Sequence, residues 1–195
     1  HHLRGLISGD EAGYQYADLA RAVLEALWPA VADNFANRHG PAPGRGAAVL
    51  GMGSLGAGTL AANSDLDLIV IFDPDGVEAS VGPKPLASGA YYARLTQAFI
   101  TALTALTGQG RLYEVDMRLR PSGRKGPVAT SLQAFVHYQS QEAWTWEHLA
   151  LTRGRPVAGD ARLMEEVEAF RRDLVARPRA RDKVLGDVAD MRARL

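Results

Sequence analysis

Gly51-Met52-Gly53-Ser54-Leu55-Gly56 is followed, after a short spacer, by Ser64-Asp65-Leu66-Asp67-Leu68-Ile69-Val70-Ile71-Phe72. The pair of segments reads as a glycine-rich turn and then a strand that opens with two carboxylates one residue apart. Successive side chains of a strand point to opposite faces, so Asp65 and Asp67 are expected on the same face. Two carboxylates held side by side repel each other unless a cation lies between them. Oxygen-only donors of this kind suit magnesium. A glycine-rich turn nearby can bring backbone N–H groups to a phosphate. The combination points to metal-assisted chemistry on a nucleotide. Gly51, Gly53 and Gly56 also match Gly-x-Gly-x-x-Gly, the dinucleotide-binding spacing. That fingerprint, however, wants an acidic residue about twenty positions on, after a second parallel strand. Here the aspartates come much sooner.

A third apolar/polar alternation runs from Arg111 to Leu119. Tyr113, Val115, Met117 and Leu119 take one face; Glu114, Asp116, Arg118 and Arg120 take the other. If this strand lies beside the second, Asp116 joins Asp65 and Asp67. Three carboxylates suffice for two magnesium ions about 3.5–4 Å apart. Arg118 and Arg120 are then placed for charge-assisted hydrogen bonds to phosphates.

The rest of the chain supplies a frame for these segments. Asp10 to Asn37 is expected as one amphipathic helix, with Leu19, Val23, Leu27, Val31 and Phe35 on its apolar stripe beside Leu24 and Trp28. Ala47 to Gly51 reads as a buried strand, Asp73 to Gly89 as a surface loop, and Ala90 to Thr107 as a helix through Leu95, Phe99, Leu103 and Leu106. After Thr130 the pattern is helical to the end, in pieces over 131–141, 143–153, 161–176 and 183–195. His137 and His148 read as satisfied histidines rather than ligands. Trp144 and Trp146 read as packing anchors rather than a base-stacking platform. Arg171-Arg172 and the 177–183 cationic cluster read as solvated faces.

Composition narrows the class. Lysine plus arginine and aspartate plus glutamate are each 22, so the formal net charge is zero. Binding of nucleic acid through bulk charge is therefore not expected. There is no cysteine, which excludes disulfides and thiolate metal sites. No signal peptide and no apolar run of about 18 residues is present, so a cytoplasmic protein with no membrane partner is expected. His1-His2 is assigned no role. The absent initiator methionine, and an end inside an expected helix, suggest a piece of a longer protein.

Gly53-Ser54, the spacer and Asp65-Leu66-Asp67 resemble the signature of the DNA polymerase beta-like nucleotidyltransferase superfamily. Leu112 to Gly123, Gly126-Pro127-Val128 and Glu142-Ala143-Trp144-Thr145-Trp146-Glu147-His148 resemble the glutamine synthetase adenylyltransferase family more closely, and the resemblance runs over nearly the whole chain. Members of that family are large and bifunctional. One nucleotidyltransferase domain attaches AMP to a tyrosine of glutamine synthetase, and a related one removes it by phosphorolysis. The Tyr113-Glu114-Val115-Asp116 strand and the Glu142–His148 segment are similar to the C-terminal, adenylylating copy. Ser54 stands where many members carry lysine.

The resemblance implies an α+β nucleotidyltransferase fold, with a small mixed sheet flanked by helices and a helical region following. Residues 1–40 would be an N-terminal helix packed on the catalytic domain, 41–130 the catalytic core, and 131–195 the helical region. Asp65 and Asp67 would be ligands of Mg2+, with Mn2+ as an alternative. Asp116 would be a third ligand or the base for the tyrosine proton. Gly53 and Ser54 would hold the β and γ phosphates of ATP, with Arg118 or Arg120 covering the missing lysine. Glutamine synthetase would be the protein substrate and a PII signal protein the regulator. Phosphorolytic deadenylylation and non-catalytic docking to glutamine synthetase or PII are the competing readings.

Overall fold

The computed structural model describes residues 4–193, apart from the side chain of Lys183. His1-His2 and the expected helix end at Leu195 lie outside the described residues. Helix α1 (Gly9–His39) starts where Ser8 Oγ accepts the Glu11 N–H at 3.1 Å, and two acidic residues sit in its first turn. Strand β1 (Gly46–Gly51) leads into a single helical turn, α2 (Gly53–Gly56). Strand β2 (Leu66–Asp73), helix α3 (Ser88–Thr104) and the two-residue strand β3 (Val115–Asp116) follow. Strand β4 (Ala129–Ser131) runs into α4 (Leu132–Gln141), then α5 (Thr145–Leu151) and strand β5 (Arg155–Gly159). Helices α6 (Ala161–Ala176) and α7 (Arg181–Ala193) end the described chain.

The fold is α+β, with one small mixed sheet and helices on both faces. β1 lies antiparallel between β2 and β5, with Val49 opposite Val70 and Ala158. The free edge of β2 is shared by two short parallel partners. β3 pairs Val115 with Leu66 and Asp116 with Asp67; β4 pairs Ala129 to Ser131 with Val70 to Phe72.

Strand alternation divides the core in two. Leu66, Leu68, Val70 and Phe72 point towards α1 and α3, where they meet Leu24, Trp28, Leu95 and Phe99. Ile69 and Ile71 point the other way, onto Phe135, Leu163 and Val167 of α4 and α6. Trp28 meets Phe99 edge-on at 5.0 Å, and Phe72 stacks on Tyr92 at 4.5 Å. Tyr91 and Tyr92 donate to the carbonyls of Gly40 and Pro43, tying the loop after α1 to α3. Among the described residues no helix is long and apolar enough to cross a membrane.

Several expectations are corrected. Leu19 is 57% exposed, because a strict four-residue repeat drifts about 40° per step around a helix. The buried stripe of α1 instead follows Ala17, Ala20, Leu24 and Trp28, and Val23, Leu27, Val31 and Phe35 pack at its margin. Helix α3 stops at Thr104, leaving Leu106 77% exposed before the Thr107–Gly110 turn. The strand expected over 111–119 is cut to two residues because β4 takes the β2 edge beyond Asp67. Its alternation still holds locally: Tyr113, Val115 and Met117 face the first core cluster, whereas Leu119 packs on the second.

The region after 130 is not wholly helical. β5 occupies Arg155 to Gly159 on a sheet edge, where Pro156 is tolerated beside an irregularity between Val49 and Leu50. Trp144 and Trp146 are not core anchors; they are 61% and 41% exposed and line a groove between α5 and α7. Arg171 is not solvated but 5% exposed, with its guanidinium on Glu168 and the Leu151 carbonyl. His137 and His148 are satisfied as expected, by Glu142 and by the Gln139 carbonyl and Arg179.

Candidate active site

Asp67 is the second residue of β2, on the face that carries Ile69 and Ile71 further along. Those two are covered by helices; Asp67 lies beyond that cover and is half-buried. Its parallel partner across the strand pair is Asp116. Asp65 stands one residue ahead of the strand and is exposed. Burial pushes the Asp67 carboxyl above its usual range, and the charges of Asp116 and Asp65 push it further. Asp67 thus feels the charges of both Asp65, one residue ahead of β2, and Asp116, its partner on β3.

Asp116 has the opposite balance. Burial raises it, but the side-chain and backbone hydrogen bonds of Arg118, with the Arg118 and Arg124 charges, outweigh burial and hold it low. The Arg118 backbone N–H donates to Asp116 Oδ1 at 2.8 Å and its Nε to Oδ2 at 2.5 Å. Arg118 is thus seated on one of the carboxylates, not extended away from them.

Arg120 is committed to its own loop. Its donors reach the carbonyls of Met117, Arg124 and Gly126 at 2.7, 3.3 and 3.3 Å, which shapes the turn between β3 and β4. Arg118, Arg120 and Arg124 nonetheless line one open concavity with Asp65 and Asp116.

The glycine turn closes the other side. Met52 N–H donates to the Asp67 carbonyl at 2.8 Å, locking the turn to β2. Gly53 has φ +54°, and a β-carbon there would overlap the Asp67 carboxylate. A side-chain-free residue is what lets that carboxylate lie against the backbone. Gly56 approaches the Arg153 carbonyl as closely, so the turn is also pressed on the end of α5. Ser54 Oγ accepts from Arg153 at 3.5 Å.

The structure thus brings Gly53, Asp65, Asp67, Asp116 and Arg118 together, with Ser54 at the adjacent turn and Arg120 one step back in the loop. Sequence reasoning missed Arg124 and Arg153. Arg153 is 99 positions from Ser54 and looks in sequence like an ordinary helix-end arginine, so no local signal marks it.

A divalent cation fits the chemistry of this donor set. The donors are carboxylate oxygens, and the repulsion that raises Asp67 is the kind a cation relieves. As the side chains stand, no three acidic or histidine residues among those described converge on one point. Asp116 is instead neutralised by Arg118.

The Trp144–His148 segment has a supporting role. The buried Glu147 accepts from Tyr138 Oη at 2.8 Å and from the Trp144 N–H at 2.9 Å, joining α4 to α5. Burial lowers the His148 imidazole, in keeping with a neutral ring between Gln139 and Arg179.

Comparison with known proteins gives the family. The family model described as glutamate-ammonia ligase adenylyltransferase matches residues 1–170. A bifunctional glutamine synthetase adenylyltransferase/adenylyl-removing enzyme of Mesorhizobium japonicum is 51% identical over 192 residues, 98% of this chain and 20% of that protein. The enzymes of the same name from Brucella suis and Agrobacterium fabrum are each 50% identical, over 97% and 98% of this chain and 19% of theirs. The chain spans about a fifth of the length of these curated relatives.

Proposed function

The chain belongs to the glutamate-ammonia ligase adenylyltransferase family, and on that premise we propose that it moves AMP from ATP onto a tyrosine of glutamine synthetase. The observation that carries the reading is Asp67 in register with Asp116, charge-coupled to it and to Asp65, beside the Gly53 turn.

Asp65, Asp67 and Asp116 would hold Mg2+ or Mn2+, which when bound neutralises phosphate charge and lowers the pKa of a coordinated oxygen. The chain's own groups do the rest. Gly53 and Ser54 seat the β and γ phosphates. Arg118, released from Asp116, pairs with phosphate oxygens through its planar fork. Asp116 is the third ligand of the cation or the base that accepts the tyrosine proton. The tyrosine oxygen forms its bond to the α-phosphorus as the bond to the β-phosphate oxygen breaks, and pyrophosphate leaves. Catalysis is by positioning and charge neutralisation. Regulation by a PII signal protein, a cytoplasmic setting, and assignment to the C-terminal, adenylylating copy belong to the same proposal.

The test is incubation of the chain with glutamine synthetase, a divalent cation and α-labelled ATP. Label on a glutamine synthetase tyrosine is the expected result. Release of AMP as ADP from pre-adenylylated enzyme with phosphate, and no forward transfer, would assign the adenylyl-removing reaction instead. Binding of glutamine synthetase with neither reaction would make the chain a docking module.

A further inference from the structure

The cations around the site are not equivalent. Arg118 is paired with Asp116 through its side chain and its backbone N–H. Arg120 spends its donors on three loop carbonyls. Arg124 lines the concavity with Asp65 and Asp116, and its charge acts on Asp116. Arg153 is on the glycine-turn side: its guanidinium donates to the neutral Ser54 hydroxyl at 3.5 Å, and its charge reaches Asp67 without a salt bridge among the described residues.

The backbone under Arg153 is held from several directions. Gly56 packs against its carbonyl, and neighbouring Gly154 is buried against Met52. The buried Arg171 guanidinium bonds the Leu151 carbonyl at 3.1 Å, two residues before it. A long, exposed guanidinium thus rises from a rigid base beside the turn. Its charge also bears on Asp67. A cation placed so, with five donors and no carboxylate hydrogen-bonded to it among the described residues, suits a multiply charged phosphate chain rather than a single carboxylate.

We propose that Arg153 is the residue that grips the pyrophosphate end of the nucleotide, reaching across Ser54 from the end of α5. This rests on the nucleotidyltransferase reading above and refines it. The role is assigned to a residue outside the glycine turn and outside the carboxylate strands. Arg118 is then left for the phosphate next to the carboxylates. In the transfer reaction Arg153 would hold the two phosphates that leave together.

The test compares binding of ATP, pyrophosphate and AMP by the purified chain and by Arg153→Gln, which keeps most of the stem, and Arg153→Lys, which keeps the charge without the fork. Loss of one charge-assisted contact corresponds to about 10- to 100-fold. The expected result is that loss for ATP and pyrophosphate in Arg153→Gln, partial recovery in Arg153→Lys, and unchanged AMP binding in both. Circular dichroism and melting of both variants should match the parent, since the side chain is exposed. Unchanged ATP affinity, or equal losses for ATP and AMP, would overturn the assignment while leaving the carboxylate site standing. A parent chain that binds no nucleotide with Mg2+ present would overturn this proposal and the nucleotidyltransferase reading together.

Discussion

The contact between Gly53 and Asp67 shows how much one missing side chain controls. Gly53→Ala puts a methyl where the carboxylate lies, at a φ that costs a non-glycine residue about 1–2 kcal/mol. The modest stability loss should come with a large functional one. Displacing a catalytic group by about 1 Å can cost roughly a hundredfold in rate, and that is the drop expected in label transfer. Asp67 itself predicts a trade. Folding raises its pKa, so the fold disfavours its ionised form; that penalty is present at neutral pH and is relieved as pH falls through the raised value. Asp67→Asn in metal-free buffer should therefore melt higher than the parent at pH 7–8, by about 1–3 °C. The gain should shrink on acidification as the parent's carboxyl protonates. A lower melting temperature at pH 7.5 would show that the carboxylate is not under the strain assigned to it. Asp116, held low by Arg118, has the opposite sign: its stabilisation is present above the ordinary carboxylate range and is lost as pH falls through its lowered pKa.

Helix α6 and the two small strands mark what a sequence of this kind can and cannot disclose about its elements. α6 begins where Asp160 caps the Leu163 N–H and shows the expected spacing, so its bounds of 161 and 176 are legible from local chemistry. β3 and β5 are not. β3 ends because β4 competes for the same edge, a long-range fact that no local alternation carries. β5 is five residues with a proline, flanked by Gly154 and closing on Gly159, and reads as a break until β1 is available to pair with it. Arg171 defies the solvated-face reading for a related reason: its burial depends on the Leu151 carbonyl at the end of α5, which accepts its guanidinium as well as the Gly154 N–H. Arg171→Ala should cost about 2–3 kcal/mol in urea unfolding, less than a fully isolated buried pair because Glu168 keeps Arg155 and Arg172 nearby. It should also slow transfer, since it loosens the segment that carries Arg153. A loss under about 0.5 kcal/mol would mean that the guanidinium is not a strut.

At the scale of the whole molecule, the sheet is arranged so that its polar content collects at one end. Apolar residues of β1 and β2 are covered on one face by α1 and α3 and on the other by α4 and α6. Only where that cover stops do Asp65, Asp67 and Asp116 reach solvent, and there the β3–β4 loop and the glycine turn wall them in. The carboxylates and Arg118 were legible because strand alternation and a short spacer put them in view. The opposing wall was not, because Arg153 reaches the site only through the packing of α5 and β5 on the glycine turn. The most direct test of the account is the rate of AMP transfer to glutamine synthetase by Asp67→Asn against the parent, with matched circular dichroism and saturating Mg2+ and ATP. The account predicts a fall of about a hundredfold to a thousandfold with the fold intact. Normal turnover by the variant would contradict it, because the coupled carboxylates would then not be the machinery of the reaction.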